Sequence, residues 1–221
     1  MSVTIAAIAG SLRAGSHSRA LLKAAAHDLP PDIRLALWDG LAHVPPYSPD
    51  LEAGPAPTGV AALRALFPGA GAVLIVTPEY NGSIPGQLKN ALDWASRPRG
   101  AAVLEGKPAA SISASPGPRG GAWALEDLRK VLTVIGADLT ATGLAVPQVH
   151  AQLTTGGRIA DPALRDRITA LISDLAQHAT AARPALAALR PSTHRPTASR
   201  PALRRDRTAA RNALRWPAAI T

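Results

Sequence analysis

Cysteine is absent from all 221 residues, which excludes a disulfide framework, thiol chemistry and thiolate zinc sites. Aromatic residues make up only 3% of the chain, so a core must be assembled from alanine, valine, leucine and isoleucine. The hydrophobic share of 47% is enough for one good core. No apolar run reaches the length of a membrane span, and the longest, Gly71 to Val76, is strand-sized. The first apolar run has no basic segment before it, so a secretory signal is not expected and a cytoplasmic location is. No spacing of His, Asp and Glu suggests a metal site, and no internal repeat is evident.

Charge is plentiful but unevenly placed. The net charge is +9, yet residues from Arg183 onward hold nine arginines and one acid, for +8. The remainder carries 15 basic and 14 acidic residues and is close to neutral. Length and composition therefore suggest one α/β domain over residues 1–182. An Arg/Pro/Ala-rich extension over 183–221 is expected to be disordered, with short helices at Ala185–Leu189 or Thr208–Leu214 as the alternative. Such a tail is most often a solvated appendage, and contact with nucleic acid is the minority reading.

Along the domain, apolar runs alternate with helical patterns. Strands are predicted at Val3–Ala9, Ile33–Leu37, Gly71–Val76, Pro108–Ala114 and Leu139–Val146. Helices are predicted from Ser16 or Ser18 as N-cap to Leu29, at Thr58–Leu66, Gly86–Ser96 and Ala122–Ile135, and from the Asp161-Pro162 cap to about Ala182. Asp39–Gly59 reads as loop, too long to be only a connection. Continuous apolar strands separated by helices imply a doubly wound five-stranded parallel sheet in order 2-1-3-4-5. That order places strands one, three and four side by side. Their following loops, Gly10–Arg19, Thr77–Pro85 and Ser115–Gly121, are polar and rich in glycine or proline, and they would converge on one crevice.

The first loop leads from a strand into a helix start. Its backbone N–H groups and helix dipole suit a phosphate, with serine hydroxyls and Arg13 to complete the site. It lacks the P-loop and dinucleotide glycine patterns, and no nucleophile elbow is present. Several hydroxyls and one arginine suit a terminal monophosphate better than a pyrophosphate. Singly, Ser11, Arg13 and Ser16 would pass for turn and cap residues, Glu79 for a surface charge and Asn81-Gly82 for a turn pair. It is their grouping after apolar strands that outweighs those readings. His17 and His43 read as solvated loop residues, Trp94 as core or dimer packing, and His150 stays uncommitted.

The segment Gly10-Ser11-Leu12-Arg13-x-x-Ser16, the run Thr77-Pro78-Glu79-Tyr80-Asn81-Gly82-Ser83-Ile84-Pro85-Gly86, and Ser113-x-Ser115-Pro116-Gly117-x-x-Gly120-Gly121 together resemble the NADPH-dependent FMN reductases of flavodoxin-like fold. That family includes quinone, chromate and azo-dye reductases, and the resemblance covers roughly residues 3–180. It implies FMN as cofactor, with Ser11, Arg13, Ser16 and Ser18 around its phosphate. Pro78, Glu79, Tyr80, Asn81, Gly82 and Ser83 would lie against the isoalloxazine, and Ser115, Gly117 and Gly120 at its other edge. NADPH or NADH would supply hydride to the flavin, which passes it to a flavin, quinone or other small oxidised acceptor. No catalytic acid or base and no metal is implied. The family's habit of forming dimers or tetramers, with a neighbouring subunit walling the flavin, implies a homo-oligomer. Two positions depart from the pattern. Trp123 stands where many relatives carry Arg, and Ser18 where Asn is frequent. The alternative is a flavodoxin-like electron carrier without its own turnover, but the near-neutral core with Tyr80 alone in its loops favours the enzyme.

Overall fold

Apolar side chains on both faces of a strand require cover on both faces, and the computed structural model shows that cover. It describes residues 2–140 and 142–188, with the side chains of 183–188 excepted. Strands β1 (Val3–Ala9), β2 (Ile33–Trp38), β3 (Ala72–Thr77), β4 (Pro108–Ala114), β5 (Asp138–Leu139) and β6 (Leu144–Val146) form one sheet. Its order is β2-β1-β3-β4-β5, with β6 also on β4, and every pairing is parallel. The expected order is thus present, with one addition.

Alternate residues serve alternate layers. Ile5, Ala7, Ala9, Leu74, Val76 and Ile112 pack under α1 (His17–Ala26) and α6 (Pro162–Ala188). Ala6, Ile8, Val73, Ile75 and Ala109 face α3 (Thr58–Ala65), α4 (Gly86–Ala95) and α5 (Ala122–Val134). This period of two on a sheet buried on both sides is why the strands read as unbroken apolar runs. Ser16 caps α1 with its hydroxyl on the Arg19 N–H, so Ser18 falls inside the first turn. Asp161 accepts from the Ala163 N–H at 2.9 Å at the start of α6.

Three expectations need correction or extension. The single fifth strand predicted over Leu139–Val146 is two pieces. Leu139 pairs with Ala109 and Leu144 with Ile112, so five steps of one chain lie beside three of its neighbour. Between the two pieces the chain passes close to β4 and α5 at Gly143, where a Cβ would come within 2.9 Å of Leu125 and 3.0 Å of the Ser111 hydroxyl. The loop read over Asp39–Gly59 contains a 3₁₀ turn at Gly40–His43 and a short helix, α2 (Pro49–Glu52), which Ser48 caps. Side chains of α4 hold this segment. Gln87 donates to the carbonyls of Leu41 and Val44, Asn90 accepts from the Tyr47 N–H at 2.7 Å, and Trp94 donates to the Pro45 carbonyl at 2.9 Å. The last helix continues to Ala188, past the expected end near Ala182. Residues 189–221, on which most of the expected disorder or short helices fall, lie outside the described residues.

Candidate functional site

The first loop is held from both sides. The Gly10 N–H donates to the Val76 carbonyl at 2.8 Å, and a Cβ at Gly10 would lie 2.8 Å from Leu88, so the chain turns tightly over β3 and α4. The Ser11 hydroxyl accepts from the Arg13 N–H and meets the Tyr80 hydroxyl, each at 3.3 Å. Arg13 donates to the Gly15 carbonyl at 2.7 Å, which fixes its guanidinium beside the helix start. The N–H groups of His17 and Ser18 belong to the first helical turn, where no intrahelical acceptor exists. The Ser18 hydroxyl is buried and has no hydrogen-bond partner among the described residues.

These groups line one cleft of about 150 Å³. The first loop gives it Ser11, Arg13, Ser16 and Ser18, the second Pro78, Glu79 and Tyr80, and the third Ser115. Its wall also includes His17, Ala114 and Pro116, which sequence reasoning did not select. His17 is therefore not the solvated loop residue expected. Helix α1 begins on it, and it is half-buried between Ser16 and Ser18. Burial first, then the positive charge of Arg13 and the neighbouring His150, lowers its pKa from the ordinary imidazole value. A lowered value means less of its charge at neutral pH in the absence of an anion.

The second loop is a hairpin. The Tyr80 N–H donates to the Ser83 carbonyl at 2.9 Å, and the Ser83 N–H donates back at 3.1 Å. Asn81 and Gly82 have φ of 52° and 76°, so both central residues are left-handed, which is the demand that an Asn-Gly pair meets most cheaply. Asn81, Gly82 and Ser83 do not line the cleft itself. The Ser83 hydroxyl donates to Asp127 of α5 at 2.6 Å. Lys130 first, and Ser83 second, hold the Asp127 carboxyl below its usual range. Glu79 reaches in the same direction. Its Oε2 accepts from the N–H groups of Trp123 and Ala124 at 3.1 and 3.3 Å. The residue before helix α5, Gly121, has no side chain to cap it, and Glu79 supplies the missing acceptor from another loop.

The third loop is shaped by backbone more than by side chains. The Ser113 hydroxyl donates to the Gly120 carbonyl at 2.8 Å, and the Ser115 hydroxyl accepts from the Gly117 N–H at 3.1 Å. Gly117 and Gly120 lie outside the cleft wall and set the path that puts Ser115 in it. Among the described residues no group of three His, Cys, Asp or Glu could hold a metal. The arrangement has donors for an anion at one end and a backbone turn flanked by exposed aromatics at the other. It has no pairing of nucleophile and base.

The sequence model of the NADPH-dependent FMN reductase family matches residues 3–151. An NAD(P)H-dependent FMN reductase of Pseudomonas aeruginosa is 36% identical over 167 residues, spanning 75% of this chain and 89% of its own. A 2-hydroxy-1,4-benzoquinone reductase of a Burkholderia species is 44% identical over 131 residues, spanning 59% of this chain and 70% of its own. Among solved structures, FerB, a flavoenzyme NAD(P)H:acceptor oxidoreductase of Paracoccus denitrificans, superposes with a TM-score of 0.72 at 31% identity. That superposition covers 81% of this chain and 98% of FerB.

Proposed function

The chain belongs to the NADPH-dependent FMN reductase family, and from that premise we propose that it binds FMN in the three-loop cleft and reduces a flavin or quinone at the expense of NAD(P)H. With a quinone as acceptor the balance is NAD(P)H + H⁺ + quinone → NAD(P)⁺ + hydroquinone. The observation that carries this reading is the Ser18 hydroxyl, buried in the cleft wall at a helix start without a partner among the described residues. A buried, unpaired hydroxyl is costly unless something fills its hydrogen bond, and a phosphate at this helix start would do so.

Ser11, Arg13, Ser16 and Ser18 are the residues that would hold the phosphate. The hairpin's own bonds use the N–H groups of Tyr80 and Ser83, which leaves those of Asn81 and Gly82 without an acceptor among the described residues and available to a ring seated against the hairpin. FMN, when bound, supplies the two-electron chemistry between nicotinamide and acceptor. What the protein itself contributes is placement. Donors fixed in a tight turn need no reorganisation when negative charge develops beside them. Pro78, Glu79 and Ser115 would shape the same pocket, while Gly82, Ser83, Gly117 and Gly120 keep its loops in position.

In this reading residues 1–182 form the reductase, and residues 183–221 are an appendage with no part in cofactor binding. A homodimer or homotetramer is also part of the reading, as the resemblance to the family implies. So is a cytoplasmic site of action. No described helix is long and apolar enough to cross a membrane.

Purified protein reconstituted with FMN and treated anaerobically with NADPH should turn yellow and then bleach. Failure to bind FMN would sink the reading, and stable colour with neither NADPH nor NADH bleaching it would favour the carrier alternative. Arg13→Ala is expected to raise the FMN dissociation constant about ten-fold, the scale of one charge-assisted hydrogen bond, while leaving the fold intact. Fluorescence titration with FMN measures this, and an unchanged affinity would remove Arg13 from the phosphate site.

A further inference from the structure

The chain has seven aromatic residues, and two of those described are exposed: Tyr80 at 50% and Trp123 at 51%. Both flank the same turn. Tyr80 begins it, and Trp123 lies against Gly82, where a Cβ would sit 3.4 Å from the indole Cε3. In a protein this poor in aromatics, solvent exposure of the pair beside the cleft is not explained by packing, because neither ring fills the core.

Trp123 is also held in place. Its backbone N–H is bonded to Glu79, and the Arg119 guanidinium lies over its ring, 4.1 Å from the centroid. Among the described residues Arg119 has no ion pair and no hydrogen bond. Stacking on the indole restrains the guanidinium without neutralising it, so its planar set of N–H donors stays available. The carboxylates bonded at this end of α5 are already engaged. Glu79 accepts two backbone N–H groups, and Asp127 accepts from Ser83 and Lys130. An anion reaching Arg119 therefore meets donors that are not already committed to an acid.

We propose that Arg119 and Trp123 form the acceptor-selecting element of the site, favouring planar aromatic acceptors that carry a negative charge. The half-exposed indole offers apolar surface beside the hairpin, and the guanidinium stacked on it offers charge and in-plane donors next to that surface. A neutral quinone can use only the first of these. The word acceptor rests on the reductase reading above, whereas the preference in binding rests on the pair alone.

The test uses two naphthoquinones and the full-length protein. 2-Hydroxy-1,4-naphthoquinone is ionised at neutral pH, and menadione has the same rings without charge. In equilibrium dialysis, Arg119→Gln is expected to weaken the ionised quinone about ten-fold and menadione by less than about two-fold. Arg119→Lys should recover part of the loss, because it restores charge without the planar fork. Trp123→Ala should weaken both ligands. In turnover by the FMN-loaded enzyme, the Arg119→Gln change should fall on KM for the ionised quinone more than on kcat. Equal effects on the two quinones, or none, would overturn the proposal. So would an effect confined to NADPH over NADH, which would reassign Arg119 to the nucleotide phosphate. Parallel FMN titration of the wild-type protein separates the two readings. Absence of flavin binding would defeat the reductase assignment, and the dialysis would still decide for or against the pair.

Discussion

Trp94→Ala is expected to lower the unfolding free energy by about 3–5 kcal/mol, the range for truncating a buried large aromatic. Against a typical total of about 5–15 kcal/mol, that would leave a marginal fold. Trp94 is fully buried within the layer formed by α3, α4 and α5. Its ring meets Tyr47 edge-on, with centroids 5.1 Å apart, and the Arg64 guanidinium lies 5.8 Å from its centroid. Trp94 is one of three α4 side chains, with Gln87 and Asn90, that bond the 41–47 segment. The loss therefore combines a cavity with the release of a loop. Trp94→Phe should cost much less. It retains most of the buried ring, and the Pro45 carbonyl still accepts from Asn90 at 2.9 Å. Urea unfolding of the three proteins measures both effects. An alanine variant within about 1 kcal/mol of wild type would show that the segment is not held through this residue.

Gly120→Ala is expected to be nearly as damaging, and to damage the site as well as the fold. At φ 64° the added methyl would lie 2.7 Å from the Pro147 nitrogen and 2.8 Å from backbone atoms of Val146. Neither neighbour is a flexible side chain that could turn away. The left-handed conformation costs a non-glycine residue about 1–2 kcal/mol, and overpacking adds about 1–3 kcal/mol. The chain would relieve this by moving the third loop, breaking the bond from Ser113 to the Gly120 carbonyl and displacing Ser115 from the cleft. The FMN dissociation constant should then rise by at least about ten-fold in protein that remains folded. Gly69→Ala is the comparison, since nothing lies within 4 Å of its added methyl. Wild-type stability and flavin affinity in Gly120→Ala would refute the close approach.

The sheet was legible because its strands are apolar on both faces, and a parallel doubly wound order leaves few arrangements that bring three polar loops together. The residues that gather in the cleft were legible for the same reason. What stayed hidden depended on distance in sequence. Nothing near Glu79 reveals that its carboxylate caps a helix 44 residues away, and Ser83 reads like any other turn hydroxyl until Asp127 is beside it. The break between Leu139 and Leu144 escaped because a residue count along one strand says nothing about the count on its neighbour. His17 was misplaced for a more local reason. Its position in the first turn, between Ser16 and Ser18, is the available signal, and polar neighbours in sequence do not distinguish a cleft wall from open solvent.

Glu79 joins the hairpin loop to the start of α5 by two hydrogen bonds to successive amides. Those amides can exchange with deuterated solvent only when the carboxylate lets go, because the cap is their acceptor. The exchange rates of Trp123 and Ala124 thus become a clock on the departure of the hairpin from the helix, readable in the native protein with no label attached. A ligand that clasps the hairpin would slow that clock, and the extent of slowing would report how rarely the second loop leaves its helix while the cleft is filled.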